Sequence, residues 1–175
     1  MFHETRADED LLLELLNTTP TVSGLASDVL AEDGSGRTWL RERGGRGTRL
    51  ELARITAARH AIQRVVRGEA GPAELAPYLD TVRSNPAIRD GAVSWTFEAD
   101  ADMLLAARCV LTWDALEKKR PGGLRSCANE DCSLFLIDRS NGNRAQWCSM
   151  AVCGNRMKAR RHYRQSRSEA APVSG

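Results

Sequence analysis

Residues 127–165, CANEDCSLFLIDRSNGNRAQWCSMAVCGNRMKARRHYRQ, hold four of the five cysteines of the chain. The four form two groups, Cys127 with Cys132 and Cys148 with Cys153, and four residues separate the members of each group. A dense run of arginine and lysine follows the last cysteine. Clustered thiols beside a cationic segment indicate a metal-bound module that has an anionic partner.

The composition is typical of a soluble globular protein. The chain has 175 residues, of which 42% are hydrophobic and 27% are charged, enough for one domain or a domain plus a small module. No apolar run approaches the roughly 20 residues that cross a bilayer, and the acidic start MFHETRADED lacks the positive region of a signal peptide. We therefore expect a cytoplasmic protein without membrane contact, whose thiols remain reduced and are available to a metal.

The charge is divided unevenly along the chain. Residues 1–117 contain 13 Lys and Arg against 19 Asp and Glu, a net charge of −6. Residues 118–175 contain 12 against 4, a net charge of +8, so the two parts together give the +2 of the whole chain. This asymmetry predicts a basic C-terminal part that binds an anionic partner.

The acidic part is predicted to be mainly helical. Thr48 can cap a helix that Gly68 ends, and Pro72 suits the first turn of another helix, which SNP (residues 84–86) would stop. The alternating apolar residues of 92–99 favour a short strand. The stretch 100–120 carries acids at its start and bases at its end, as the dipole of a helix prefers.

The acidic part also contains single residues of types that occur in catalytic or metal sites, and each has an ordinary structural explanation. Cys109 lies in an apolar helix and is expected to be a buried hydrophobe, and His60 has no neighbouring Asp, Ser or Cys in the sequence. Glu98, Asp100 and Asp102 are explained by helix capping and dipole compensation. No active site is indicated, and we expect the protein not to be an enzyme.

The four cysteines Cys127, Cys132, Cys148 and Cys153 are candidate metal ligands. Four thiolates on two short turns can close a tetrahedron around a structural zinc ion, although thiolates also bind iron–sulfur clusters. Unrelated buried cysteines or two disulfides are the alternatives, and paired spacing in a cytoplasmic chain disfavours both. The stretch LFLID (residues 134–138) alternates like a strand that covers the site.

Zinc with four thiolates carries a net charge of −2, which nearby cations and backbone donors must offset. Arg125, Arg139, Arg144 and Arg156 are close to the ligands in sequence and could supply the positive charge. Gly154, directly after Cys153, could bring its N–H to a ligand sulfur.

Residues 126–163 resemble the CGNR zinc finger, a family named for the tetrad found here at residues 153–156. Further agreement lies outside the ligands, at Phe135, Asp138, Ser140, Lys158 and the element 147–150. The upstream part, with LLELLNT near its start, is similar to the ABATE domain that precedes this finger in bacterial proteins. The resemblance implies a stress-induced bacterial transcription regulator whose finger binds double-stranded DNA, and hence a nucleoid-associated location.

We accordingly predict a mainly α fold with a small β component. Residues 1–120 would form the ABATE-like helical domain. Residues 121–166 would form a treble-clef-like zinc finger with four cysteine ligands, a β-hairpin followed by a basic helix. Residues 167–175 would be a disordered tail.

The basic helix can be assessed from its spacing. Over residues 154–165, Arg156, Arg160 and Arg164 recur every four residues, so they share one face, and no acid lies nearby in sequence to neutralise them. Phosphates would turn the repulsion between these arginines into attraction, whereas a solvated tail is the simpler alternative. The predicted nucleic-acid contacts are Arg139, Arg144, Asn155, Arg156, Lys158, Arg160, Arg161 and Arg164.

Three functional hypotheses follow from the sequence. The first is a DNA-binding regulator, which as a small module is expected to pair half-sites as a homodimer and to sense an effector that remains unknown. The second is a finger that docks an acidic protein, including the acidic domain of the same chain, which would then mask it. The third, an enzyme with a structural zinc, has no visible catalytic constellation.

Overall fold

The computed structural model describes residues 5–22 and 25–169. The upstream part contains α1 (Arg6–Leu16), β1 (Thr21–Val22), β2 (Leu25–Ala26), α2 (Asp33–Glu42), α3 (Arg49–Val66), a 3-10 helix (Pro72–Tyr78), β3 (Arg83–Arg89), β4 (Ala92–Glu98) and α4 (Leu104–Lys119). The basic part contains β5 (Leu124–Ser126), β6 (Phe135–Ile137), a turn of π-helix (Met150–Gly154) and α5 (Asn155–Glu169). The predicted tail overlaps the end of α5, and residues 170–175 lie outside the described residues.

The prediction of a mainly α fold with a small β component is confirmed. Each sheet among the described residues is an antiparallel pair, β1 with β2, β3 with β4, and β5 with β6. No helix within residues 5–22 and 25–169 is long and apolar enough to cross a bilayer.

Local capping starts α1 and α3. In α1 the Thr5 hydroxyl accepts a hydrogen bond from the Asp8 N–H, and the Asp8 carboxylate accepts one from the Thr5 N–H in return. In α3 the Thr48 hydroxyl accepts a bond of 3.0 Å from the Glu51 N–H, as the sequence predicted. These caps satisfy backbone donors that a helix start otherwise leaves unpaired.

The core lies between α1, α3 and α4, whose apolar faces pack on one another. Leu12 and Leu15 of α1, Ile62 of α3 and Cys109 of α4 are fully or almost fully buried. Burial raises the pKa of Cys109 to about 12, so this thiol behaves as a small apolar side chain.

A partly buried ion pair fixes the loop between α1 and α2. The Arg59 guanidinium, 0% exposed, donates bonds of 2.6 and 2.7 Å to the two carboxylate oxygens of Asp28 and one to the Thr18 hydroxyl. The guanidinium can only donate, so Nε2 of the exposed His60 accepts its bond of 2.8 Å. His60 thus belongs to a structural network.

The acids before α4 do not cap it as expected, since the N-cap residue Met103 makes no side-chain cap bond and the first turn holds no acid. Asp102 instead accepts a bond of 2.7 Å from the Thr48 hydroxyl and pairs with Arg46. It therefore ties the start of α4 to the start of α3, a tertiary contact that local charge rules cannot foresee.

The segment expected to stop a helix at residues 84–86 lies inside a β-hairpin. The 3-10 helix ends at Tyr78, and β3 pairs with β4 over seven residues, from Arg83 opposite Glu98 to Arg89 opposite Ala92. Asp90 and Gly91 connect them with φ values of 51° and 78°, which places both in the left-handed region of a type I′ turn.

The basic part packs onto the helical part through β5 and β6. Leu124 and Phe135 are 3% and 1% exposed and belong to the same core cluster as α1, α3 and α4. The Ser133 hydroxyl donates a bond of 2.8 Å to the Thr19 carbonyl, across the boundary between the two parts. The two predicted segments therefore share one hydrophobic core.

Candidate metal centre

The four predicted ligands converge on one point. The sulfur atoms of Cys127, Cys132, Cys148 and Cys153 all lie within 4.8 Å of one another. Cys148 Sγ is 3.7 Å from Cys132 Sγ and 3.6 Å from Cys153 Sγ. Bonds of ~2.3 Å to a tetrahedral zinc ion place the sulfurs about 3.8 Å apart, so the cluster has the size for one ion. A cluster of several iron atoms needs a wider spacing of its ligands.

Two turns present the ligands in pairs. The Cys127 N–H donates a bond of 2.8 Å to the Leu134 carbonyl as the chain leaves β5, and the Cys132 N–H donates one of 2.8 Å to the Asn129 carbonyl. Cys148 precedes the π turn, and Cys153 lies within it. The Ser149 hydroxyl caps this turn by accepting from the Val152 N–H.

The expected bond from the Gly154 N–H to a ligand sulfur is not formed. The N–H donates instead to the Ser149 carbonyl at 3.0 Å, and the role of this glycine lies in packing. A Cβ at this position would lie 2.9 Å from the Met150 sulfur and 3.2 Å from Trp147 Cδ1. The absence of a side chain at residue 154 therefore lets the π turn close against Trp147.

A buried asparagine supports the cluster. Asn129, 0% exposed, directs its Nδ2 towards Cys153 Sγ at 3.6 Å, while its Oδ1 accepts from the Asp131 N–H. Sequence reasoning missed this residue, although a polar side chain between two ligands was the available signal. Such a donor offsets thiolate charge and orients the ligand.

The surroundings of the four sulfur atoms shift the pKa values of the thiols in different directions. Burial raises the pKa of Cys132 and of Cys148. Burial also acts to raise the pKa of Cys153, but hydrogen bonds led by the one from Asn129 leave it below its ordinary value. Metal binding to these cysteines therefore releases protons.

Two of the four arginines expected to offset the ligand charge, Arg125 and Arg139, have other partners. Arg125 donates to the buried carboxylate of Asp138 at 3.1 Å and also to Asn143. Arg139 reaches α1, where it bonds Glu9 and Asp10 at 2.9 Å each. Hydrogen bonds led by those from Ser140 hold the pKa of Asp138 below its ordinary range, so this carboxylate stays charged and organises the loop.

The predicted anion-contacting residues of α5 are open to solvent along the helix. Asn155, Arg156, Lys158, Arg160, Arg161 and Arg164 are all exposed, as is Arg144 on the preceding loop. Arg156 and Arg160 also line a cavity of about 650 Å³ that reaches Cys132, Cys148 and Cys153. The expectation that no acid neutralises this face is wrong for Arg160, whose guanidinium pairs with Asp131.

Comparison with known proteins places this part of the chain in a defined class. Residues 124–166 match the family model of the CGNR zinc finger. No curated protein matches the chain. The match and the four-sulfur geometry agree that this segment is a zinc finger whose metal is zinc, which confirms the predicted cofactor. The similarity of the upstream part to the ABATE domain stays a prediction.

Proposed function

We propose that the chain is a zinc-dependent DNA-binding protein that acts as a bacterial transcription regulator. In this proposal a treble-clef-like finger presents α5 to the phosphates of duplex DNA. One observation carries it: between residues 155 and 166 every side chain of α5 is exposed except the half-buried Met157. This part of the helix holds five arginine and lysine residues and no acid.

A purely structural role does not account for a helix that buries so little apolar surface. A surface helix of a globular domain buries an apolar face, which supplies most of its stability. Here Arg156, Arg160 and Arg164 repel one another along one face, a repulsion that the pairing of Arg160 with Asp131 offsets only in part, and little apolar surface compensates for it. A duplex supplies the missing attraction, since each phosphate contact also releases condensed counterions. The 15 residues of α5 span about 22 Å, and a major groove about 12 Å wide admits a helix.

The metal has a structural role in this proposal. Four thiolates fill the tetrahedral coordination of zinc and leave no open position for a substrate or a reactive water. Cys153 lies two residues before Asn155, where α5 begins, so the bound ion fixes the start of the helix. We accordingly propose a binding function for the finger and assign it no catalytic step.

A second function is favoured by one specific observation. Arg139, predicted to contact nucleic acid, instead bonds Glu9 and Asp10 of α1. The finger thus already docks acidic side chains of its own chain, which supports a role in binding acidic protein surfaces. Both functions share the cationic surface of α5, and they differ in the partner that this surface prefers.

The test compares two double variants of the full chain. Arg160→Ala with Arg164→Ala removes two cations from α5, and Arg49→Ala with Arg64→Ala removes two from α3, where each forms an exposed ion pair. Binding to fluorescent duplex fragments is measured between about 50 and 200 mM salt, a range over which such contacts weaken strongly.

The α5 variant should bind more weakly to every sequence, and the slope of log affinity against log salt should fall by about 0.9 for each phosphate that the helix no longer neutralises. The α3 variant should keep the parent affinity and slope, and both should retain zinc. If the α5 variant also behaves like the parent, the helix does not touch the duplex backbone and the protein-docking function is preferred.

A further inference from the structure

The turn between the last two metal ligands exposes three consecutive apolar residues. Met150 is 56% exposed and Val152 is 55% exposed, and Ala151 between them is also exposed. These three residues, 150–152, form the apolar tip of the finger. Contact between apolar side chains and water is unfavourable, so a run of them at a surface indicates a partner that covers it.

The backbone of the apolar tip is held by groups other than its own side chains. The two ligands at its ends, Cys148 and Cys153, have their sulfur atoms 3.6 Å apart. The Asn155 N–H donates to the Met150 carbonyl and closes the π turn. Neither Met150 nor Val152 belongs to the hydrophobic core that the described residues form. The core therefore does not account for the apolar character of the tip.

The apolar tip adjoins the cations of α5. Val152 lines the cavity of about 650 Å³ together with Arg156 and Arg160, although Asp131 pairs with Arg160. Asn155, at which α5 begins, follows the tip after two residues. A partner that covers this surface must therefore present anionic groups beside an apolar group.

Duplex DNA presents both kinds of group in its major groove. Phosphates border the groove, and the methyl group at C5 of thymine is the apolar group that the base pairs display there. Where a helix-turn-helix protein lays its recognition helix in this groove, the N-terminal residues of that helix contact the base edges. The apolar tip lies at the corresponding end of α5, and the arginines that follow it can reach the phosphates.

We propose that Met150 and Val152 contact the 5-methyl groups of thymine and give the finger a preference for thymine-containing sites. This inference rests on the proposed DNA function and adds the base that the finger selects. Burial of one methyl group changes an affinity by about fourfold. The end of the Met150 side chain already lies against Gly154, which limits the entropy that its ordering on a partner would cost.

Replacement of thymine by uracil tests the contact, because uracil forms the same base pair and lacks only the methyl group. Two alternating deoxyribose duplexes of equal length serve as probes, one of adenine with thymine and one of adenine with uracil. Fluorescence anisotropy with the full zinc-loaded chain gives the affinity for each duplex. Both duplexes carry the same phosphate charge, so the ratio of the two affinities reports on the methyl groups.

Two double variants are compared with the parent. Met150→Gln with Val152→Thr makes the tip polar and changes its shape little. The matched control, Ile88→Thr with Val93→Thr, replaces two exposed apolar residues of the β3–β4 hairpin. Zinc content and thermal unfolding check that both variants remain folded and loaded.

The parent should bind the thymine duplex at least about threefold more tightly than the uracil duplex. The tip variant should bind the two duplexes equally, because it loses affinity for the thymine duplex alone. Its salt dependence should match that of the parent, since no phosphate contact is removed. The hairpin control should keep the parent ratio.

Three outcomes would overturn the inference and leave the proposed DNA function intact. The first is a parent that binds both duplexes equally. The second is a tip variant that keeps the preference, which would then arise from the shape of the duplex. The third is a tip variant that binds both duplexes more weakly by the same factor, since the tip would then act without reading the methyl group.

A fourth outcome would overturn the inference and the proposed DNA function together. It is a zinc-loaded parent that binds neither duplex at about 50 mM salt, where phosphate contacts are strong. In that case docking of an acidic protein is the preferred function of the finger.

Discussion

The side-chain amide of Asn17 pairs with both backbone groups of Phe135. The Phe135 N–H donates to Asn17 Oδ1 at 2.7 Å, and Asn17 Nδ2 donates to the Phe135 carbonyl at 3.2 Å. Asn17 ends α1, and Phe135 begins β6 of the zinc finger, 118 positions later. The amide thus provides the pairing that a neighbouring strand would give to this edge. The Phe135 ring is buried beneath it, with the Arg67 guanidinium 4.9 Å from the ring centroid.

Replacing Asn17 with alanine is expected to lower the free energy of unfolding by about 2 kcal/mol, because it leaves two backbone groups of Phe135 without their partner. Chemical denaturation measures the change. Asn141→Ala is the matched control, since Asn141 is exposed on the finger loop and its loss should cost less than about 0.5 kcal/mol. Equal stability of the two variants would mean that water replaces the Asn17 amide at no cost.

The shared core changes what loss of the metal should do. A segment as short as the finger has too little core of its own to fold without zinc. If the two parts were independent, Cys148→Ser would unfold the finger and spare the helices. Leu124 and Phe135, however, complete the core of the helical part. We therefore expect Cys148→Ser to lose zinc and to weaken the protection of α1 amides against hydrogen exchange.

Cys109→Ala is the control for that variant, because Cys109 is a buried cysteine of α4 and not a ligand. It should keep one zinc ion per chain and lose only the packing of its sulfur. Parent-like protection of α1 in Cys148→Ser, with zinc absent, would show that the helical part folds independently of the finger.

The metal ligands could be predicted because their signal is local. Two cysteines on each of two short turns form a pattern that spacing and thiol chemistry make specific. Helix caps such as Thr48 were predictable for the same reason. In contrast, the Asn17 contact with Phe135 and the bond from Thr48 to Asp102 join residues far apart in sequence. No local rule connects such partners, since tertiary packing selects them.

Pro86 shows a second limit of prediction from sequence. As a helix breaker it suggested the end of a helix, yet it lies within β3. A proline is compatible with a strand only where its missing N–H would point away from the ladder, and that depends on the phase of the pairing. The turn at Asp90 and Gly91 sets this phase. A rule that considers only whether a single residue breaks helices does not take the turn into account.

The partly buried pair of Arg59 and Asp28 should make stability depend on pH. Hydrogen bonds from Arg59 hold the pKa of Asp28 below its ordinary value of 3.8. A carboxyl group with a lowered folded-state pKa contributes stability that is fully present above its unfolded pKa and is lost as the pH falls through the folded one. Asp28→Asn should therefore lower the free energy of unfolding at pH 7 by about 2 kcal/mol. This value is smaller than for a fully buried ion pair, because Asp28 is partly exposed.

Denaturation at a series of pH values checks this dependence. The difference between parent and Asp28→Asn should shrink as the pH falls below about 3.8, the ordinary Asp value. Asp80→Asn, at an exposed position, should follow the parent throughout. A difference that stays constant down to about pH 2, well below the unfolded value, would assign the effect to shape and not to charge.

The ion pair between Arg160 and Asp131 bears on how the cationic surface of α5 is controlled. In the sequence, Asp131 lies between the zinc ligands Cys127 and Cys132. The finger itself therefore supplies the acid that pairs with Arg160, one of the predicted phosphate-binding residues. Asp131→Asn should release Arg160 and raise the affinity for duplex DNA several-fold, with a steeper salt dependence of about 0.9 in slope for one added phosphate contact. Fluorescence anisotropy with the full chain measures both quantities.

Glu130→Gln is the matched control, because it removes the same charge from the neighbouring exposed residue. Both variants make the chain more positive by one unit, and general attraction to DNA should rise equally in the two. Only Asp131→Asn should add a phosphate contact. If both variants gain affinity to the same extent with the same salt slope, Asp131 acts through net charge alone. In that case the Arg160 guanidinium is as available to phosphate in the parent as in the variant.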